Sequence, residues 1–253
     1  MNILLIGDVF SKPGREVLKQ KLPTIIDENE IDFVIVNGEN ISHGSGINKE
    51  HFNFLKELKI DVITSGNHIF KNKETIDFIG DNPNLLRPLN MNSFLPGNGT
   101  ILVEKNNIKI RVTNLMGKNF MDHVNNPYEA MDNLLKSDNS DIHIVDFHAE
   151  ATAEKLAFAW NYDGKISVIV GTHTHIPTDD AQILPKGTAY VTDLGMTGPI
   201  NSIIGVNPSE VILKEKTGLP VRFVPSENKG VLNGVIVKFN NNKVIEVVRI
   251  KAM

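Results

Sequence analysis

Five short apolar runs recur along the chain, and each leads directly into glycine or polar residues. The runs are Ile3 to Ile6, Phe33 to Val36, Ile60 to Ile63, Ile142 to Val145 and Ile166 to Val170. A continuous apolar run of this length is typical of a strand covered on both faces, as the strands of parallel sheets are. The feature therefore predicts an α/β protein with a buried parallel sheet.

Helical patterns lie between these runs. A helix begins near Ser11 and carries Leu18, Leu22 and Ile25 on one stripe, and Pro23 predicts a kink or a break in it. Further helices are predicted at Asn48 to Leu58, about Pro127 to Lys136, Ala151 to Trp160, and between Asn207 and Gly218. This alternation of strands and helices indicates βαβ units.

Two antiparallel hairpins interrupt that order. Thr100 to Glu104 pairs with Ile108 to Thr113, and Val231 to Phe239 pairs with Val244 to Ile250, each across an Asn-rich turn. Parallel units combined with hairpins predict two sheets that pack face to face, with helices outside. Because no linker, repeat or low-complexity tract divides the sequence, we expect residues 1–253 to form one domain.

Length and composition limit the class of protein. The 253 residues suffice to bury a sizeable core, and the absence of cysteine excludes disulfides and thiolate metal sites. A net charge of −4 without basic clusters argues against a long nucleic-acid partner, although a small nucleotide or an RNA end stays open. With neither a leader nor a membrane-spanning stretch, we expect a cytoplasmic protein without a membrane partner.

Two imidazoles, His173 and His175, follow directly after the run that ends at Val170. If the extended conformation continues past Gly171, a period of two sends both rings to the same side. Two imidazoles on one side suit one or two metal ions. A His-x-His pair after a strand is, however, at least as often part of a solvated surface loop. The residues that follow the other apolar runs distinguish between a metal site and such a loop.

Nitrogen and oxygen donors follow every one of the five runs. Ligands in open α/β sheets gather beyond the carboxyl ends of the strands, so we expect these donors to lie together: Asp8, Glu39, Asn40, Asn67, His68, His148, His173 and His175. Eight donors are too many for one ion. They suit two divalent cations that make a nucleophile from water and stabilise charge at phosphorus. Taken singly, the acids could instead be cap or turn residues, and His148 a core histidine.

The order of these motifs resembles the calcineurin-like metallophosphoesterase superfamily. The motifs are Gly7-Asp8, Gly38-Glu39-Asn40, Gly66-Asn67-His68, His148 and Gly171 to His175. Longer motifs resemble the bacterial YmdB-like cyclic-nucleotide phosphodiesterases: Asn37 to Asn40, Asp146 to Thr152, Val170 to His175 and Thr192 to Pro199. The resemblance extends over essentially the whole chain. It implies a four-layer α/β/β/α sandwich of two mixed sheets, in agreement with the pattern of strands and helices.

The resemblance also implies how the donors divide between two metal ions, which in this family are iron or manganese. Asp8, Glu39, Asn40 and His175 would surround the first ion, and Asn67, His148 and His173 would complete the second, with Glu39 as the bridge. His68 would donate a proton to the leaving oxygen, a role that suits histidine because its ordinary pKa lies near neutrality. Asn40, Asn67 and His68 would contact the substrate.

The function that follows is a dinuclear phosphodiesterase for cyclic nucleotides. Metal-bound hydroxide would attack the phosphorus while His68 protonates the departing ribose oxygen. The resemblance favours 2′,3′-cyclic nucleotides and leaves 3′,5′-cyclic AMP open as a further substrate. Two alternatives stay open: a phosphomonoesterase or protein phosphatase with the same metal centre, and a regulatory nucleotide-binding protein with slow turnover. A homo-oligomer is compatible with the sequence, which does not fix the oligomeric state.

Two departures from the superfamily pattern concern the first metal site. The usual Asp-x-His is Asp8-Val9-Phe10, and the usual bridging aspartate is Glu39. Both departures are shared with the YmdB-like branch. Because the first site thereby has one histidine fewer than the superfamily pattern, we expect its metal to be the more weakly bound. Within the branch, Ile69-Phe70-Lys71 replaces a more usual Thr-Trp-Asp, which changes the expected pocket wall.

Other polar residues near the motifs are less informative. Asp146 and Glu150 alternate with His148, so they either orient its ring or are solvated charges. Asp193 either lines the substrate mouth or contacts another subunit. Four further histidines are interpreted as having no functional role: His43, His51, His123 and His143. His51 lies on a predicted helix, and His43 and His123 lie in loops.

Overall fold

Twelve strands and six α-helices make up the computed structural model, which describes residues 1–253. The strands are β1 Asn2–Ile6, β2 Phe33–Asn37, β3 Val62–Thr64, β4 Thr100–Lys105, β5 Ile108–Met116, β6 Ile142–His148, β7 Val168–Thr172, β8 Gln182–Ile183, β9 Ala189–Val191, β10 Gly198–Pro199, β11 Gly230–Asn240 and β12 Lys243–Ala252. The helices are α1 Ser11–Glu28, α2 Lys49–Glu57, α3 Thr75–Phe78, α4 Pro127–Leu135, α5 Thr152–Tyr162 and α6 Pro208–Thr217. A 3₁₀ turn at Ile79–Asp81 follows α3.

The strands form two mixed sheets of six strands each. The first sheet has the order β10, β11, β1, β2, β3, and β12 also pairs with β11. Strands β1, β2 and β3 are parallel to one another, whereas β11 is antiparallel to β1. The second sheet has the order β4, β5, β6, β7, β9, β8 and is parallel from β5 to β9, with an antiparallel strand at each edge. Both hairpins predicted from the sequence, β4–β5 and β11–β12, are confirmed.

Successive side chains of a strand point to opposite faces of the sheet, and this alternation explains how the sheets and helices are layered. In β1, Leu4 and Ile6 face a core shared with α1 and α2, whereas Ile3 and Leu5 face the second sheet. In β6, Val145 lies in a third core, which α4 and α5 cover from outside. Three apolar cores between two helical layers and two sheets make an α/β/β/α sandwich, so the predicted fold class is confirmed.

Of the two effects predicted for Pro23 in helix α1, a kink or a break, the structure contradicts the break. It continues from Ser11 to Glu28 through Pro23, so the proline does not divide it. Leu22 and Ile25 are buried on either side of Pro23 in the core that α1 shares with the first sheet. This packing outweighs the roughly 3 kcal/mol that an interior proline costs a helix.

None of the helices combines the length and the apolar character that crossing a bilayer requires.

Candidate metal centre

The eight donors singled out from the sequence lie at the carboxyl ends of parallel strands from both sheets. In the first sheet β1, β2 and β3 lead into Asp8, into Glu39 and Asn40, and into Asn67 and His68. In the second sheet β6 ends with His148, and β7 leads into His173 and His175. Face-to-face packing of the sheets thus brings donors from five strands to one place.

Glu39, His148 and His173 form the densest part of this cluster, with one ligand atom of each within 4.8 Å of the others. His148 Nε2 lies 3.2 Å from Glu39 Oε1, 3.2 Å from Asn67 Oδ1 and 3.0 Å from His173 Nδ1. An imidazole nitrogen carries at most one proton, so His148 Nε2 can donate to only one of these three atoms. A cation between them would satisfy all four atoms at once.

Asp8, Asn40 and His175 form a second group, which shares Glu39 with the first. Asn40 Nδ2 lies 2.9 Å from His175 Nε2 and donates to Glu39 Oε1 at 3.2 Å. Asp8 is fully buried, and its Oδ2 accepts from the backbone N–H of His173 at 3.3 Å. Its Oδ1 has no hydrogen-bond partner and lies 3.9 Å from His148 Nδ1. A buried carboxylate oxygen without a partner is costly unless a cation is near. The residues of this group therefore fit a metal ion as well.

Burial and mutual contact shift the pKa values of the cluster. Burial raises the pKa of Asp8 to about 6, although His175 and His148 oppose the shift. Burial disfavours the charged forms of Glu39 and His148, but their mutual attraction outweighs it: the pKa of Glu39 lies well below its usual range, and the pKa of His148 is raised to about 9. Burial and the charge of His148 lower the pKa of His173 to about 3. A proton on His148 thus supplies the positive charge that the buried carboxylates require.

His68 lies at the rim of the cluster, with 29% of its side chain exposed. Its Nδ1 lies 2.9 Å from Asn40 Oδ1 and 3.3 Å from Glu39 Oε1, and its backbone N–H donates to Glu39 Oε2 at 3.2 Å. Since both of the oxygens near Nδ1 only accept, Nδ1 is the protonated nitrogen. His68 Nε2 is then the nitrogen left to exchange a proton with a ligand.

A buried hydrogen-bond chain orients His148. The hydroxyl of Thr172 donates to Asp146 Oδ1 at 2.7 Å, so its oxygen accepts from His148 Nδ1 at 2.9 Å. His148 Nε2 is thereby left as the ligand nitrogen. Asp146 in turn accepts from Asn37 Nδ2 of the first sheet at 3.0 Å, which ties the two sheets together at the cluster.

Of the two acids that alternate with His148, only Asp146 orients its ring. It does so through the hydroxyl of Thr172. Glu150 lies beside a different ring: its Oε2 is 3.2 Å from His173 Nε2, and its side chain is 48% exposed. Strand β6 ends at His148, so the alternation that would return Glu150 to the same side is lost.

The backbone of the His-x-His stretch differs from the predicted extended conformation. Strand β7 ends at Thr172, and both histidines have positive φ, 102° at His173 and 66° at His175. Asp193 holds this turn, because its Oδ2 accepts from both the backbone N–H and the hydroxyl of Thr174. The prediction that strand alternation aims both rings is therefore wrong, although both rings reach the cluster. Left-handed backbone in non-glycine residues is a common form of strain at functional sites.

Gly66 makes room for the cluster. A Cβ at this position would lie 2.2 Å from Glu39 Oε2 and 2.3 Å from His148 Nε2. Only a residue without a side chain allows the loop after β3 to approach both ligands. The glycine of the Gly-Asn-His motif is thus needed for space.

The other histidines have separate surroundings. His51 is buried and its Nδ1 lies 2.8 Å from Ser42 Oγ, and His143 lies 2.7 Å from Asp138 Oδ2. His123 is exposed. His43 lies in a loop as expected, but it also lines the cavity beside the cluster and packs edge-on against His51.

A cavity of about 510 Å³ opens over the cluster. One side is polar and includes Glu39, Asn40, His68, His173 and His175. The other side is apolar and consists of Phe10, Ile204, Val206, Phe223 and Pro225. Its volume lies within the range of small-molecule sites.

Two supporting residues were assigned no such role from the sequence. Lys155 is 1% exposed, and its Nζ donates to the carbonyl of Thr172 at 2.9 Å and to Asp193 Oδ2 at 2.8 Å. Asp193 is therefore buried in an ion pair, so neither role considered for it, at the substrate mouth or at a subunit contact, applies. The regular helical pattern around Lys155 carries no signal of such a partner.

Known proteins resemble this chain in both sequence and fold. Residues 4–250 match the family described as YmdB-like protein. The chain is 43% identical to the 2′,3′-cyclic-nucleotide 2′-phosphodiesterase of Bacillus subtilis, over 99% of this chain and 96% of that protein. A crystal structure described as a novel phosphatase from Mycoplasma pneumoniae superposes with a TM-score of 0.96 at 39% identity, over 100% of this chain and 93% of that one.

The fold itself is shared more widely. A 5′-nucleotidase precursor from Thermus thermophilus superposes with a TM-score of 0.56 at 12% identity, over 99% of this chain and 54% of that chain. At that identity the likeness concerns the fold alone.

Proposed function

The chain belongs to the YmdB-like protein family, and from this premise we propose that it is a metal-dependent phosphodiesterase that hydrolyses 2′,3′-cyclic nucleotides. The observation that carries the proposal is the convergence of Glu39, His148 and His173 within 4.8 Å beside Asp8, whose Oδ1 lies 3.9 Å from His148 Nδ1 without a hydrogen-bond partner. 3′,5′-Cyclic AMP is the second substrate to test.

Two groups of residues would hold two divalent ions, iron or manganese. Asp8, Asn40 and His175 belong to the first group, Asn67, His148 and His173 to the second, and Glu39 to both. The two ions, when bound, would lower the pKa of a water molecule and neutralise charge on the phosphate. Nitrogen and carboxylate donors suit either metal.

His68 would supply the proton that the leaving group requires. Its ring lines the cavity beside Asn40, and Asn40 Oδ1 fixes the Nδ1 proton, so Nε2 would carry the proton that is transferred. In the reaction a water molecule releases one proton to solvent, its oxygen bonds to phosphorus, the P–O2′ bond breaks, and O2′ takes the proton from His68. The products are a nucleoside 3′-monophosphate and neutral imidazole, which takes up a proton from solvent before the next turnover.

The His68→Ala variant tests this role. We expect unchanged metal content by elemental analysis and a kcat for 2′,3′-cyclic AMP lower by about 10² to 10⁴, the span of general acid catalysis. A p-nitrophenyl phosphodiester should lose far less, because p-nitrophenolate leaves without a proton. The His43→Ala variant is the matched control, since His43 lines the same cavity but packs against His51. A His68→Ala enzyme within threefold of wild type on both esters would refute the assignment.

A second candidate, hydrolysis of phosphomonoesters, is favoured by the description of the Mycoplasma pneumoniae relative as a phosphatase. The same residues would hold the ions, and His68 would again protonate the leaving oxygen. The two activities are separated by kcat/KM for 2′,3′-cyclic AMP against 3′-AMP. A higher value for 3′-AMP would favour the phosphomonoesterase.

A further inference from the structure

The apolar side of the cavity is a built feature of the segment between β10 and β11. Four of its residues, Ile204, Val206, Phe223 and Pro225, come from this one segment, which also carries α6. Their arrangement is fixed by the backbone: Val206 pairs with Ile203 and Pro225, the N–H of Asn207 donates to the carbonyl of Val224 at 3.0 Å, and that of Ser226 to the carbonyl of Gly205 at 2.9 Å. The apolar wall is therefore preformed.

This wall is connected directly to the candidate metal ligands. His175 Nδ1 donates to the carbonyl of Ile204 at 2.8 Å, while His175 Nε2 faces Asn40. Phe10 packs edge-on against the His175 ring at 5.6 Å, and a Cβ on Gly205 would lie 2.7 Å from the Phe10 ring. The ring of His175 thus holds the wall at a fixed position beside the cluster.

The wall is exposed although it is apolar. Phe223 is 40% exposed and Ile204 is 49% exposed, and α6 has no buried residue. Lys214 Nζ lies 5.0 Å from the centroid of the Phe223 ring, so the ring has a cation beside it, and the same ring lines the cavity. None of the side chains of Ile204, Val206, Phe223 and Pro225 can donate or accept a hydrogen bond.

We propose that this wall is the nucleobase platform of the enzyme, which holds the base of a cyclic nucleotide by stacking and van der Waals contact without reading its edges. The inference rests on the proposed function, because the polar side of the cavity then holds the phosphate and the apolar side faces the base. Every base has a π face, so stacking is tolerant of sequence. The four 2′,3′-cyclic nucleotides should therefore have kcat/KM values within about tenfold of one another.

The Phe223→Ala variant, with Val224→Ala as its control, tests the platform. Val224 is the next residue and is 46% exposed, but it does not line the cavity. Binding is measured by calorimetry with 3′-AMP, 3′-UMP and ribose 3-phosphate, with and without manganese. Turnover is measured separately with 2′,3′-cyclic AMP and the base-free methyl riboside 2,3-cyclic phosphate.

Phe223→Ala should raise the Kd of both nucleotides by about 5- to 150-fold, the range of base–aromatic stacking, and leave ribose 3-phosphate unchanged. Its KM for 2′,3′-cyclic AMP should rise without a comparable fall in kcat, and Val224→Ala should match wild type. Unchanged nucleotide binding in Phe223→Ala would overturn the platform, as would a preference for one base above about 100-fold. If the Phe223→Ala variant loses nucleotide affinity but the wild type hydrolyses neither cyclic ester, the proposed function is refuted and the nucleobase platform is supported.

Discussion

Gly66 is the position where one added methyl group should disturb the cluster most. The methyl of Gly66→Ala would displace Glu39 and His148 together, because it would meet a ligand atom of each at 2.2 to 2.3 Å. Misplacement of catalytic groups by about 1 Å can cost 10²-fold in rate. We expect kcat/KM for 2′,3′-cyclic AMP to fall by at least about 100-fold and metal content to fall with it.

The matched control for this substitution is Gly80→Ala. A Cβ on Gly80, in the 3₁₀ turn after α3, would have no atom within 4 Å. That variant should keep wild-type activity and metal content. A fully active Gly66→Ala enzyme would mean that the ligands can be rearranged at little cost, contrary to the tight packing of the cluster.

His148 should make the metal-free protein sensitive to pH. Its pKa is raised to about 9 in the folded protein, whereas an unfolded histidine titrates near 6.5. The protonated form therefore stabilises the fold fully below about pH 6.5, and this contribution is lost as the pH rises through 9. Chelator-treated protein should lose on the order of 3 kcal/mol of unfolding free energy between these pH values.

Urea unfolding at pH 6.5 and pH 9 measures this loss. The pKa shifts of Asp8 and His173, to about 6 and about 3, act mainly below that window. His148→Asn should abolish most of the dependence, since the titrating ring is gone. A metal-free wild type that is equally stable at both pH values would contradict the charge balance inferred for the cluster.

The donors could be predicted one by one because each directly follows an apolar strand, which is a local signal. The residues that orient them could not. Thr172, Asp146 and Asn37 meet only when the two sheets pack, and the sequence separation of 109 between Asn37 and Asp146 leaves no local pattern. Gly66 was recognised as part of a motif, but its need for space depends on where Glu39 and His148 lie.

Helix α5 supports the turn after β7 through one buried ion pair. Lys155 Nζ contacts both the last carbonyl of β7, on Thr172, and Asp193, which holds Thr174. Lys155→Met would leave Asp193 as a buried carboxylate without its cation. Breaking a buried pair in this way typically costs about 3 to 5 kcal/mol, so the free energy of unfolding in urea should fall by that amount.

Lys238→Met is the control for this prediction. Lys238 lies 2.7 Å from Glu246 on neighbouring strands, but their side chains are 38% and 50% exposed. Exposed pairs contribute at most about 1 kcal/mol. Equal losses in the two variants would show that burial of the Lys155–Asp193 pair carries no special weight.

The elements with a long pattern were predicted well. The positions of β1, β2, α2, α4 and α5 agree with the sequence to within about two residues, because amphipathic or fully apolar periods define them. Strands β8 to β10 were not foreseen, because two or three residues show no period. The turn at His173 depends on Asp193, 20 residues later, so its left-handed backbone could not be predicted from local sequence.

The two sheets share a core of 18 buried residues, and we propose that residues 1–253 unfold as one domain. Amide hydrogen exchange of β6 reports on the second sheet, and that of β1 reports on the first. In urea both probes should show the same midpoint in metal-free protein. Two separated midpoints would contradict the single domain.

At the scale of the whole molecule, we infer a metal centre whose ligands come from both sheets. The most direct test is elemental analysis of the protein as purified and after addition of manganese, paired with the rate of 2′,3′-cyclic AMP hydrolysis in the same samples. We predict two ions per chain and a turnover rate that rises with metal occupancy. The Glu39→Gln variant should lose both ions and its turnover, because Glu39 belongs to both ligand groups. A protein that binds no metal after manganese is added, or that hydrolyses the ester equally well after chelation, would contradict the shared metal centre.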